Sequence, residues 1–400
     1  MKIFLAALSV LLISNLHAAP KVDWDISVYP ENQLFPSMLI STATVQLPEE
    51  AFSTWDENSL GDRQGCIGID ATGLAQGAKV EVTVEENAYM QKSTFTGEVE
   101  TPAEGESPLQ VHPKIRYRYD LLGKVEQAVP LDITVSVKVD GVSLGEKTQT
   151  ISLRPVNDCL FGVEEPAETD DTETTSSDYT WLFAAYVNED HPLVGQLLKD
   201  GLALDVVDSY SGVQSGDSDE VLKQIFSLWC VLQQRGIKYS DITTNSRQGE
   251  TVFSQSVRFI DESLALTQAN CVDGSVLFAS VLRKIGLNPS LILIPGHMFI
   301  SIPLDDDTTI GLETTMLGAG DQSEADVTSF PENAVEVPSE LDDCWQNFQA
   351  AICYGTNELE ENADKFKESD DADYDADYQQ IDIGDARAIG IMPIARPSAI

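Results

Sequence analysis

Hydrophobic and polar positions alternate over four stretches of the first 160 residues: Ile40–Leu47, Lys79–Val84, Leu131–Val139 and Thr148–Leu153. A period of two is the pattern of half-buried strands, with every second side chain turned to a core. Gly, Asn and Pro separate the runs. Between two of them, Asp140-Gly141 supplies residues that tolerate the positive φ of a tight hairpin turn. The pattern predicts an antiparallel β-sandwich of immunoglobulin-like type over residues 19–162.

Residues 163–180 lose that alternation and are rich in Glu, Asp, Thr and Ser, which predicts a flexible acidic linker. Beyond it the apolar period changes to that of a helix. Asp217 and Glu220 form a capping signal for a helix over Val221–Gln234. Val272, Val276, Leu277, Ala279, Val281, Leu282 and Ile285 lie on one helical face that ends in Arg283-Lys284 and Gly286, with Pro289 beyond. Leu341, Trp345, Phe348 and Ile352 repeat at the same spacing behind Ser339. Short buried-type strands are predicted at Ser290–Ile294, His297–Ile302 and Thr308–Glu313, with Asp305–Asp307 turning the second into the third. A short strand is expected at Ile237–Tyr239, and Tyr378–Ile394 is expected to add a closing strand. The chain thus reads as α+β, a sandwich followed by an α+β domain over residues 181–400.

Candidate chemistry gathers in this second part. Cys271 opens its helix behind Asn270, a suitable N-cap, and the unpaired N–H groups and positive dipole end there favour negative charge on sulfur. His297 begins a strand after the turn Pro295-Gly296. Glu313 lies on the next strand, within a few residues of the position opposite His297. Nucleophile, base and orienting acid occur in that order. Gln268, three residues before the cysteine, is a candidate to join the Cys271 N–H in an oxyanion hole. Arg258 and Asp261, a little upstream, are candidates to shape the cysteine loop.

The segments N-C-V-D-G-S-V-L-F-A-S-V-L-R-K-I-G-L-N-P, P-G-H-M-F and G-L-E-T-T resemble the transglutaminase-like group of the papain-like cysteine enzymes, in its bacterial exported branch. The likeness extends more loosely from about Trp181 to the end. It implies a papain-like α+β domain with Cys271 as nucleophile, His297 as general base and acid, and Glu313 holding the imidazole. It implies a protein or peptide substrate, one in the cell envelope included, and no cofactor. Val272 follows the cysteine and Met298-Phe299 the histidine where cross-linking relatives carry tryptophan. The resemblance therefore implies amide cleavage or simple acyl transfer rather than protein cross-linking. The alternative is a catalytically silent module of the same type acting in envelope binding or assembly.

Compartment and charge narrow the partners. Residues 1–18 have a basic start, a short apolar run and a small-residue end, the pattern of a signal peptide, so the mature chain is expected to be periplasmic or secreted. No later segment is apolar for long enough to span a bilayer. With 66 acidic against 24 basic residues, a net charge of −42 repels nucleic-acid phosphates and anionic lipid. Export allows disulfides. Cys66 and Cys159, the only cysteines of the first part, are the expected bridge. Cys344 and Cys353 cannot join along one helix, where nine residues rise by about 13.5 Å against a limit of about 7 Å between bridged α-carbons; Cys230 is the better partner for either. Asp371, Asp373, Asp375 and Asp382 imitate calcium-loop spacing, but Ala376 replaces the glycine at the sixth position, so a solvated acidic run is the expectation. His112 and His191 lack paired ligand spacing, and no metal is expected. The oligomeric state is left open.

Overall fold

The computed structural model describes residues 21–45, 58–100, 108–165, 175–240, 245–247, 251–320, 322, 325–331, 333–367 and 374–395. The expected signal peptide, and Asp371 and Asp373 of the acidic run, lie outside the described residues.

Among the described residues, two large sheets and the short pair Met90–Gln91 with Arg116–Tyr117 form the first part. One has the order Asp23–Val28, Ile67–Thr72, Leu109–His112, Ser59–Gly61; the other runs Gln33–Leu34, Val142–Leu153, Val129–Val139, Lys79–Val84, Ser93–Glu98. Pairing is antiparallel except for the two short strands Ser59–Gly61 and Gln33–Leu34, which pair in parallel. Alternation buries Ile67, Ile69 and Val111 from one sheet and Val80, Val82, Ile133 and Val135 from the other in a common apolar cluster. Asp140 and Gly141 take φ of 50° and 79°, and Val139 opposes Val142 across their turn. Ile40–Leu47 does not form the expected strand. Its first residues belong to a helix, Pro36–Ser41, and residues 46–57 lie outside the described residues. Pro36 at the helix start decides this: its fixed φ and missing N–H suit a first helical turn, and Met38 and Leu39 pack inward behind it.

The acidic linker is corrected at both ends. Strands Asp158–Glu165 and Thr175–Asp178 pair antiparallel, and Asp158–Glu165 also pairs with Val252–Ser256, far along the chain. The resulting sheet has the order Thr175–Asp178, Asp158–Glu165, Val252–Ser256, Asn245–Arg247. Within the strand Asp158–Glu165, Val163 is the one buried side chain beyond residue 160 among the described residues, too little to register as alternation in an acidic sequence. Ser37 Oγ donates to the Asp158 carbonyl at 2.5 Å, which ties the first part to this sheet.

The fourth large sheet is antiparallel, with the order Thr309–Leu312, His297–Pro303, Ser290–Ile294, Gln379–Asp382. The helix Cys271–Lys284 packs against its histidine-bearing strand, and the helix Asp342–Glu361 covers its edge at Thr309–Leu312. Closure by the C-terminal block is confined to Gln379–Asp382. Asp382 then caps a helix, Ile383–Ala388, by accepting from the Asp385 N–H at 2.9 Å. An aromatic cluster of Phe226, Trp229, Phe278, Trp345 and Phe348 joins the helix Ser218–Gln234 to its neighbours.

Cys230 and Cys344 form a disulfide with α-carbons 5.9 Å apart. The expected Cys66–Cys159 bridge is absent, and both thiols are free and buried. Cys159 belongs to the strand shared with the second part, beside Tyr186, whereas Cys66 caps a short turn beside Tyr117. Burial pushes the Cys66 thiol up to about 12, partly offset by Arg63, and raises Cys159 as well. Among the described residues, no helix is long and apolar enough to cross a membrane.

Candidate active site

Cys271 occupies the first helical position, partly exposed, where its N–H has no acceptor inside the helix. Asn270 Oδ1 accepts from the Asp273 N–H at 2.7 Å, and Asp273 Oδ2 accepts from the Asn270 N–H at 3.1 Å. This reciprocal cap fixes the entry of the chain into the helix. Asp273 is fully buried and is held from outside the helix by Arg258, whose N–H donates at 2.7 Å and whose guanidinium lies at 2.6 Å. Burial nevertheless keeps the Asp273 carboxyl above the usual range, with the bonds from Arg258 and Asn270 pulling the other way. Gly274 allows the helix to press on Thr314: a β-carbon there would lie 2.8 Å from Thr314 Oγ1. Ser275 Oγ, which donates to the Cys271 carbonyl at 2.7 Å, lies 3.3 Å from the same hydroxyl.

His297 follows a two-residue turn in which Gly296 takes φ of 74°, with Ile294 and His297 paired across it. His297 Nε2 lies 2.6 Å from Glu313 Oε2. The remaining carboxylate oxygen, Oε1, accepts from the Thr315 N–H at 2.9 Å and from the Thr315 hydroxyl at 2.6 Å. The acid is thereby oriented from both sides. Its backbone is fixed in turn by the covering helix: the Glu313 N–H donates to the Ala351 carbonyl at 3.0 Å and the Gly311 N–H to Thr356 Oγ1 at 3.0 Å. Strand and helix approach so closely that a β-carbon on Gly311 would lie 2.1 Å from the Gly355 carbonyl group. Trp229 Nε1 donates to Asn347 at 3.0 Å, and Asn347 donates to the Met316 carbonyl at 3.1 Å, which supports the turn after Glu313.

Burial of His297 disfavours its charge, but hydrogen bonding to Cys271 and Glu313, with their negative charge, prevails and holds the imidazole at about 10. Glu313 is also buried, which raises it, yet its bonds to His297 and Thr315 bring it below the ordinary carboxylate range. At neutral pH the row is carboxylate, imidazolium, sulfur. Such a row places a proton donor beside a nucleophile.

Cys271 and His297 open into a cleft of about 500 Å³. His297 and Glu313 also line a second cavity of about 640 Å³, with Tyr354 and Asn357. Gln268 is not brought to the cleft; it is exposed on the short strand Gln268–Ala269, paired in parallel with Lys238–Tyr239. The oxyanion assignment to Gln268 is therefore withdrawn. Gln255, which sequence spacing did not single out, does line the cleft, carried there by the pairing of Val252–Ser256 with Asp158–Glu165. Asp261 lies near His191 instead, and His191 Nδ1 accepts from the Leu193 N–H at 3.3 Å as a helix cap. His112 is buried in the first part. No protein-family profile matches this chain, and no curated protein matches it.

Proposed function

We propose that this chain is a thiol enzyme of the transglutaminase-like type, exported to the periplasm or beyond, that cleaves or transfers an acyl group from an amide through Cys271, His297 and Glu313. The observation that carries this reading is the 2.6 Å contact of His297 with a buried carboxylate, on an imidazole that shares one cleft with a helix-opening cysteine. The sulfur of Cys271 attacks the amide carbonyl. The oxyanion that develops lies at the helix terminus, where the Cys271 N–H donates. His297, protonated, gives its proton to the departing amine, leaving a thioester on Cys271. Water or an amine then attacks the thioester while the neutral imidazole takes up its proton, which regenerates thiolate and imidazolium. Glu313 retains its charge throughout and keeps the Nε2 proton directed away from the sulfur.

The disulfide Cys230–Cys344 is compatible with an oxidising compartment. Of the four free cysteines, Cys66, Cys159 and Cys353 are buried and only Cys271 is partly exposed. The test is alkylation with a small iodoacetamide probe followed by peptide mapping. The reading expects Cys271 to be modified first, and faster than in the denatured chain. It expects Cys271→Ala to lose any amide hydrolysis measured on envelope-protein digests. Labelling of Cys271 no faster than in the denatured chain would favour the silent module.

A further inference from the structure

The cleft over Cys271 has a wall that the helix and the histidine strand do not build. Three segments distant in sequence converge there: Phe161–Glu164, Ser176–Asp178 and Ala376–Asp377. The Tyr374 hydroxyl donates to Asp178 Oδ2 at 2.9 Å and so joins the last segment to the second, while the Thr180 N–H donates to Asp178 Oδ1 at 2.8 Å. Each segment contributes one carboxylate, Glu164, Asp178 and Asp377. Phe161 and Phe253, with ring centroids 6.2 Å apart, give the same wall an apolar surface. Among the described residues that line the cleft there is no lysine or arginine, and none of the three carboxylates forms an ion pair. Among the described residues that line the cleft, the one cation is the His297 imidazolium at its reactive end.

Resting on the thiol-enzyme reading, we propose that this wall selects substrates whose attacked carbonyl belongs to a lysine or arginine residue. Such a side chain carries an apolar stem and a cationic tip, and here aromatic rings and carboxylates occupy one face of the cleft together. An acidic side chain in the same place meets three like charges without a counter-ion. Glu164, Asp178 and Asp377 are then specificity-determining residues.

The probes are three acyloxymethyl ketones, acetyl-Ala-Ala-Lys, acetyl-Ala-Ala-norleucine and acetyl-Ala-Ala-Glu, used on the full chain. Cys271 sulfur displaces the carboxylate leaving group from the ketone's α-carbon, so each alkylation forms one thioether and releases one carboxylate. The lysine probe is expected to label Cys271 about tenfold faster than norleucine, whose stem is the same length without the charge, and the glutamate probe slowest. The lysine preference should shrink with added salt. In Glu164→Gln/Asp377→Asn, which leaves the Asp178–Tyr374 bond in place, the preference should fall to about threefold or less. The ratio is taken within each protein, so partial unfolding lowers both rates and not their quotient. Equal labelling by lysine and norleucine probes in the wild type overturns the proposal, as does an undiminished ratio in the double variant. A wild type whose Cys271 none of the probes labels faster than the denatured chain overturns the thiol-enzyme reading, and this selectivity with it.

Discussion

Replacing Arg258 with methionine tests whether the charge beneath the cysteine helix is held as the fold implies. Asp273 is fully buried and the Arg258 side chain is 18% exposed. The substitution keeps the aliphatic stem and the Arg258 N–H bond but removes the 2.6 Å ion pair. Stripping the partner from a buried charge costs about 3–5 kcal/mol. Two N–H donors to the carboxylate survive, from Arg258 and Asn270, so a loss near the lower end, about 3 kcal/mol, is expected at neutral pH. The pH dependence has a definite sign. Burial already holds the Asp273 carboxyl above its ordinary value, against the pull of Arg258. A carboxyl raised in the folded state binds its proton more tightly there than in the unfolded chain. Its folded state is therefore favoured at low pH and loses that advantage as pH rises from the unfolded carboxylate range through the folded value. Without Arg258 the folded value climbs further, so the deficit of Arg258→Met is largest at neutral pH and shrinks as acid protonates Asp273. Urea unfolding of both proteins at about pH 7.5 and about pH 5 measures this. Adding Asp273→Asn should recover at least half of the loss, because the amide oxygen still accepts an N–H without needing a counter-charge. Alkylation of Cys271 should also slow in Arg258→Met, since an uncompensated carboxylate in the first helical turn opposes negative charge on its sulfur. A variant within about 0.5 kcal/mol of wild type, or a deficit equal at both pH values, would refute the reasoning.

Further outcomes are expected elsewhere in the site and fold. The His297 imidazole is held at about 10, so its contribution to stability is complete below the unfolded histidine value and is lost as pH rises toward about 10. Glu313→Gln should lower the His297 titration by about one unit or more, read by NMR of the ring; an unmoved titration would mean that Glu313 does not hold the proton. Cys271→Ala should fold normally, His297→Ala should fold with reduced stability because buried Glu313 loses its partner, and each should abolish turnover, while Glu313→Gln leaves a measurable remainder; equal losses on replacing Cys230 would contradict this assignment. Gly355→Ala forces the covering helix from Gly311 and should lower stability by about 2–3 kcal/mol and turnover together; a variant with wild-type Tm would show that the contact tolerates a methyl group. Mass mapping of the unreduced protein should find Cys230 linked to Cys344, and replacing both with serine should cost about 2–5 kcal/mol, measured by urea unfolding. A bridge that includes Cys271 would remove the support for thiol chemistry.

What the sequence determined by itself is local. Periodicity two and 3.6 placed the strands Lys79–Val84, Val129–Val139, Val142–Leu153, Ser290–Ile294, His297–Pro303 and Thr309–Leu312 and the helices Ser218–Gln234, Cys271–Lys284 and Asp342–Glu361, because side-chain direction follows from backbone geometry over a few residues. The order cysteine, histidine, glutamate was legible for the same reason: a helix start, a turn and a hairpin bring those positions together over about 45 residues without distant contacts. Asn270 and Asp217 were legible as caps, since a cap is a bond between near neighbours. The helix at Pro36–Ser41 escaped because alternation in the residues that follow outweighed one proline. Only the tertiary structure decided what depends on residues far apart. The acidic stretch after residue 162 has the local composition of a linker, yet it supplies a cleft wall because Asp158–Glu165 pairs with Val252–Ser256, nearly a hundred residues later. That pairing also brings Gln255 to the cleft, while Gln268 stays outside it. By count alone Cys159 pairs with Cys66, but the fold places it on that shared strand beside Tyr186, and both thiols are free and buried. Gly355 has no pattern of its own to mark it. Its role arises only where the helix Asp342–Glu361 crosses the acid strand, and a crossing is a property of two surfaces that no local spacing encodes.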